Sequence, residues 1–445
     1  MPQTHSAEPR PDLIACHDCD LLFRKPQVAK GERAVCPRCG AELFEHKGHS
    51  LDHTLALALT SLILFVMANI NTLLVMKIGG RTQAGAIITG VKELYAQGYW
   101  EISILVFVVS ILAPLLKLLC LFYILVPLRL GFRLPAASRV FRFYEVLHPW
   151  AMTEVYMLGI LVAVVKLADL AAIEPGIALY SFAALILFMA ATDASLDDHG
   201  IWERLGGTPK PMPPDSVATG SYLHCHTCHL LSRSASAHPH CPRCGSPLHK
   251  RKPNSLARTW ALTLTAYILY IPANLLPIMS VTMSGKGEPD TILSGVKELI
   301  LGGMWPLALL VFFASITVPV LKLLALTYLL LSVHFKSQWR PRERTVLYRI
   351  TESVGRWSML DIFVIAILVA LVKLGSLATI EAGAGAVAFG GVVVITMFAA
   401  MSFDPRLIWA AIPDEPPPGK AKTASANLLA PPEGEDPRLA RQAHE

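Results

Sequence analysis

The chain has 445 residues, of which 53% are hydrophobic and only 16% charged, below the quarter or so that soluble domains carry. That balance argues against a soluble domain and for a membrane protein. The formal net charge of +6 is accounted for by membrane orientation and anionic lipid headgroups, so it does not argue for a nucleic-acid partner.

Residues 1–12 are rich in proline and charge, and disorder is expected there. A cysteine-rich head over 13–48 carries "CHDC" (Cys16, Cys19) and "CPRCG" (Cys36, Cys39). Two such knuckles separated by 12–16 residues supply four thiolates to one tetrahedral ion, the spacing of a zinc ribbon. Gly40 suits the tight turn whose amides point at the sulfurs. With no secretory signal peptide ahead of it, the head is expected in the cytoplasm, which argues against disulfides. Iron in a rubredoxin-like site competes with zinc. With all four positions filled by cysteine, a structural zinc is the expected occupant, and nearby histidines such as His17 read as surface residues.

The first apolar run, Thr54–Met76, is long enough to cross a bilayer as a helix. The segment 77–100 contains "AGAIITGVKELYAQGYW", whose helically spaced apolar residues predict a short helix at the outer interface. Next comes Ile102–Val126, where Lys117 is the only charged residue and Pro114 is expected to kink the helix. A basic loop (Arg129, Arg133, Arg139, Arg142) precedes a third span at 152–171 with Glu154, Lys166 and Asp169. The turn before the fourth span, Pro175–Thr192, holds Glu174 and no lysine or arginine. The basic loops place both termini in the cytoplasm.

After a linker at 206–220, the unit is written again. "GVKEL" at 90–94 returns at 295–299, a shift of 205 that also maps Lys117 onto Lys322. A shift of 207 carries Glu145 to Glu352, Glu154 to Asp361 and Lys166 to Lys373. A second ribbon at 221–252 supplies Cys225, Cys228, Cys241 and Cys244, and a second membrane unit covers 255–412, the first being 50–205. Residues 413–445 form a tail expected to be disordered. The fold class is therefore an all-α polytopic membrane protein. It has eight transmembrane helices arranged as two parallel four-helix repeats, each preceded by a small cytoplasmic zinc ribbon, so two zinc ions are expected.

An ionisable side chain at mid-bilayer costs at least about 2.5–3.5 kcal/mol, so it normally faces the protein interior with a partner. Depth along neighbouring spans predicts Lys117 with Glu154 and Lys322 with Asp361, while Lys166 and Asp169 are three apart on one helix face. A plain brace fixing helix register would explain such pairs. The second unit, however, gathers Ser315, Lys322, Ser358, Asp361 and Thr396 where the first has Ser110, Lys117, Ala151, Glu154 and Met189, an enlargement that favours a proton or substrate relay. Lys373 meets Ser376 instead of an aspartate, and Asn274 stands between Pro272 and Pro277 beside the expected cavity.

The two "CxxC…CPRCG" heads, the "PxLKLL" spans, the "GVKEL" segments and "FDPRLIW" at 403–409 resemble the paraquat-inducible protein A family over 13–412. The resemblance implies a bacterial inner-membrane protein that moves phospholipid with a periplasmic partner built from repeated MCE domains. "NINTLL" and "MTEVY" depart from "PANLLP" and "SMLDI" of the second unit, so the two halves are not equivalent. No Walker A, nucleophile elbow or H-E-x-x-H motif occurs, so the chain is not expected to be an enzyme. Any driving energy would come from an ion gradient, where one charge crossing 100 mV yields about 2.3 kcal/mol. Two other readings stay open: a redox protein with rubredoxin-like iron, and a passive anchor for a periplasmic partner.

Overall fold

A computed structural model describes residues 13–412 apart from 27, 30, 46, 48–50, 79–80, 133–135, 169–171, 207–220, 235–239, 284–285 and 373–377. The expected disordered ends and most of the linker lie outside the described residues, as do Asp169 and Lys373.

The first head is two hairpins, β1 (Leu13–Ala15) with β2 (Leu22–Arg24) and β3 (Arg33–Val35) with β4 (Glu42–Glu45). The membrane unit follows as α1 (Leu51–Ile70), β5 (Leu74–Ile78), β6 (Arg81–Gly85), α2 (Ile87–Ala96), α3 (Trp100–Phe107), α4 (Ala113–Leu130), α5 (Ala137–Leu147), α6 (Thr153–Ala168), β7 (Ala172–Pro175), α7 (Ile177–Ser195) and α8 (Asp198–Gly206). The second head contains β8 (Ser221–His224) and β9 (Leu231–Ser234). Its membrane unit is α9 (Ser255–Leu275), β10 (Met279–Met283), β11 (Lys286–Asp290), α10 (Ile292–Leu301), α11 (Trp305–Phe312), α12 (Val318–His334), α13 (Pro341–Val354), α14 (Leu360–Leu371), β12 (Ala378–Ala382) and α15 (Ala384–Ser402).

Seven helical runs among the described residues are long and apolar enough to cross a membrane: 51–70, 100–130, 137–167, 177–195, 305–334, 341–371 and 384–402. The eighth expected span, α9, has 21 residues and packs on α15 as α1 packs on α7. Threonines and Asn274 make it less apolar; Thr259, Thr265 and Asn274 turn their polar groups back onto carbonyls of their own helix.

The membrane unit is not all helix, which corrects the expected fold class. The apolar windows ending at Met76 and Ser284 change from helix to strand before they end. β5 pairs antiparallel with β6 and β7, and β10 with β11 and β12, in two three-stranded sheets. Val281 and Thr282 in "MSVTM" suit a pleated surface, and a helix prolonged beyond the apolar layer gains nothing from lipid. Pro277 accordingly lies past the end of α9 rather than inside a span. In the second span, α3 runs into α4 through a π-turn at Val108–Leu112, matched by Phe313–Thr317 between α11 and α12. Wide turns of this kind recur at functional sites, and each contains the serine (Ser110, Ser315) that precedes the proline.

The helix at the centre is α14, within a run 83% buried against 28% for α1. Apart from Asp361 in its first turn it is apolar all round, as suits a helix without a solvent or lipid face. It packs against α6 and α2, both from the first unit, and a Cβ on Gly90 of "GVKEL" would come within 2.7 Å of the Ala366 carbonyl oxygen. The repeats thus interlock.

Candidate metal centres and buried polar cluster

In the first head the sulfurs of Cys16 and Cys39 are 3.5 Å apart and those of Cys19 and Cys36 3.6 Å. The second head gives 3.5 Å for Cys225 and Cys244 and 3.4 Å for Cys228 and Cys241. Each set of four lies within 4.8 Å and is buried, the size of a tetrahedron with metal–sulfur bonds of about 2.3 Å. Positive φ at Gly40 and Gly245 (both 72°), and at Asp20 and His229, closes the four turns. Amides of Cys16, Cys36 and Gly40 are held by carbonyls within the first head. Hydrogen bonds from Cys16, Cys19 and Cys39 hold the Cys36 thiol far below its ordinary range, and those from Cys225, Cys228 and Cys241 do the same for Cys244. Such a donor set fits a thiolate-bound metal ion, and among the described residues no histidine or carboxylate joins either set.

Each head docks on the opposite repeat. The first packs against Leu329, Tyr348, Phe403, Ile408 and Trp409, and Arg349 reaches Asp18 at 2.7 Å and the Cys39 and Gly40 carbonyls. The second packs against Leu121, Phe141 and Trp202, where Arg142, the repeat equivalent of Arg349, reaches Ser246 Oγ. Buried Arg406 of "FDPRLIW" ties both heads down through Asp404, His226 and Asp20. Burial alone would raise the Asp404 carboxyl, yet the Arg406 guanidinium keeps it below the usual carboxylate range.

Within the membrane unit one expected pair is replaced by another, one is not formed, and the Lys166–Asp169 pair lies partly outside the described residues. Lys117 Nζ meets Asp193 Oδ2 of α7 at 2.7 Å, whereas Glu154 is exposed at the start of α6. Depth arguments made Glu154 the partner, but its side chain leaves the bundle while Asp193 enters it. Tyr144 OH donates to the other Asp193 oxygen at 3.5 Å. The 207 shift carries Asp193 to Ala400, so the second repeat has no counterpart. Lys322 Nζ is buried with no hydrogen-bond partner among the described residues, and Asp361 Oδ2 and Ser358 Oγ are in the same state. The expected Lys322–Asp361 pair is therefore not formed: the charge that acts on Lys322 is Glu352, and the one that acts on Asp361 is Lys166. Ser315 stands beside Asp361 while donating to the Val311 carbonyl at 2.6 Å, and Thr396 Oγ1 donates to Val393 at 2.9 Å. Lys166, expected beside Asp169, points across to Gly295 of the second repeat and lies in the field of Asp290, Glu298 and Asp361. Asp193 was missed because it sits beyond the apolar window of its span; extending the repeat match to Ala400 exposes it.

The family model for paraquat-inducible protein A matches residues 51–206 and 256–413. The chain is 36% identical over 404 residues to the lipophilic envelope-spanning tunnel protein A of Escherichia coli K12, covering 91% of the chain and 92% of that relative. It is 32% identical over 404 residues to the E. coli K12 intermembrane transport protein PqiA, covering 90% and 96%. A probable intermembrane transport protein of Haemophilus influenzae is 32% identical over 416 residues, covering 92% and 98%. No solved structure matches the chain.

Proposed function

The chain belongs to the paraquat-inducible protein A family, and on that premise we propose that it is the inner-membrane subunit of an MCE-type lipid transport system. It moves phospholipid between the inner membrane and a periplasmic tunnel partner, with protons working the second-repeat cluster. Both termini and the two heads lie in the cytoplasm, where Arg129, Arg139 and Arg142 face anionic headgroups, and the sheets with α2 and α10 face the periplasm and the partner. The heads hold one zinc each through Cys16, Cys19, Cys36 and Cys39 and through Cys225, Cys228, Cys241 and Cys244; bound zinc supplies structural cross-linking there.

The observation that carries this reading is that, among the described residues, buried Lys322 Nζ, Ser358 Oγ and one oxygen of Asp361, Oδ2, have no hydrogen-bond partner. Leaving a buried charge without its partner costs about 3–5 kcal/mol, so a mere brace would complete the pair. An incomplete set suits groups that change protonation or receive a lipid headgroup during a cycle. Ser315 borders Asp361, Lys166 acts on it from the first repeat, and Lys117 is a stabilising copy. Glu154 and Asn274 carry no role that the described geometry supports, and Asp169 and Lys373 lie outside the described residues.

Complementation of a strain lacking lipid transport tests it. Lys322→Ala and Asp361→Asn should lose transport while the protein accumulates normally, and Lys117→Ala should act through lower abundance. Full complementation by both second-repeat variants at normal abundance overturns the proposal.

A further inference from the structure

A polar cavity of about 600 Å³ lies between the two heads and the second repeat, lined among others by Asp18, His226, Lys252, Tyr348, Glu352 and Asp404. Glu352 is exposed to this space from α13. One turn further on, Gly355 lets the Lys322 ammonium lie against the backbone of the same helical run: a Cβ there would come within 2.5 Å of Lys322 Nζ. Glu352 is also the charged group whose field reaches Lys322. Around Glu352 itself stand Tyr348 on the same helix, Lys252 ahead of α9, and Asp18 and His17 of the first head.

The first repeat has the same frame with each of these groups given a partner or a neighbour. Glu145, the equivalent of Glu352, accepts a hydrogen bond from Trp202 Nε1 at 2.7 Å. The matching Trp409 turns its Nε1 to Thr345 instead, at 3.0 Å. His148 occupies the position of Gly355 and stands beside Lys117, which Asp193 pairs at 2.7 Å.

We infer that the cavity between the heads is the cytoplasmic mouth of the second-repeat cluster, and that Glu352 is the carboxylate through which Lys322 exchanges protons with water in it. This rests on the reading that protons work the cluster. In the outward direction a proton leaves the Lys322 ammonium, joins the Glu352 carboxylate and passes to a cavity water; delivery runs the same steps in reverse. Only N–H and O–H bonds change, and no electrons are transferred.

The test is reductive dimethylation of the full-length, zinc-loaded protein in lipid nanodiscs with formaldehyde and cyanoborohydride, read at each lysine by peptide mass spectrometry. Lys322 should be modified and Lys117 protected, although both are buried to a similar degree. Gly355→His, which copies the first repeat, should bring loss of the Lys322 modification; Gly355→Ala reads the same closure in a smaller step if the larger variant fails to accumulate. Glu352→Gln should keep the modification and lose complementation. Lys322 as protected as Lys117, or modified undiminished in both Gly355 variants, overturns the mouth. Full complementation by Glu352→Gln overturns the proton role. A modified Lys322 in a chain whose transport survives Lys322→Ala overturns the transport reading alone and leaves the mouth standing.

Discussion

In the first repeat a buried lysine is answered from three directions: Asp193 pairs with it, His148 stands beside it, and Trp202 occupies the neighbouring glutamate. In the second repeat those positions are Ala400, Gly355 and a tryptophan that looks elsewhere, and Lys322 Nζ is left without a partner. Duplication explains how the chain tolerates this. The first copy holds its helices with satisfied groups, and the interlocked packing of α14 against α6 and α2 passes that rigidity to the second. The second copy can then keep a cluster whose isolated cost would threaten a fold of ordinary stability.

The largest effect expected is from the metal. Structural zinc is worth about 10–16 kcal/mol in small domains that cannot bury a sufficient core alone. Elemental analysis of reduced, freshly purified protein should give one zinc for each of the two cysteine sets. Because the heads dock crosswise, Cys36→Ser should expose α13 of the second repeat to proteolysis, and Cys241→Ser should expose α5 of the first. The reverse assignment would break the crossed picture, and a zinc content near zero would remove its basis.

Next in size is a direct exchange of the two lysine environments. Asp193→Ala leaves Lys117 buried and unpaired, so a fall in stability of about 3–5 kcal/mol is expected, measured as a lower thermal midpoint. Ala400→Asp offers Lys322 the partner its copy has. That variant should be at least as stable as the parent and lose lipid transport. Normal transport by Ala400→Asp would mean that the missing partner has no functional meaning.

Much of this was legible in the sequence. The four cysteine pairs, the tandem repeat and the apolar runs fixed the heads and nearly all spans, because each depends on local spacing. The enlarged polar set at Ser315, Lys322, Ser358, Asp361 and Thr396 was also visible, from repeat positions alone. Pairing was not. Whether Lys117 meets Glu154 or Asp193 depends on which face of α6 and α7 turns inward, and helices apolar on all sides carry no periodic signal for that. The strands were hidden for a related reason: "MSVTM" is apolar enough to extend a membrane window, and only its partners in β11 and β12 decide its conformation. Crossed docking of the heads, finally, is a long-range contact that no local pattern encodes.

The smallest expected effect concerns the two "GVKEL" helices, which share a motif but not a neighbour. In α2, Gly90 lies against the α14 backbone, and a methyl group there would come within 2.7 Å of the Ala366 carbonyl oxygen. Backbone cannot swing aside as a side chain can, so Gly90→Ala must push α2 and α14 apart, an overpacking cost of about 1–3 kcal/mol. In α10, the same methyl on Gly295 meets only the end of the Lys166 side chain, at 4.0 Å, which is ordinary contact with a group free to move. Gly295→Ala should therefore be neutral or stabilising by up to about 1 kcal/mol through helix propensity. Thermal midpoints of the two variants measure the difference directly. A Gly295→Ala variant as damaged as Gly90→Ala would show that the two helices sit in equivalent places, and that the asymmetry between the repeats stops at the lysines.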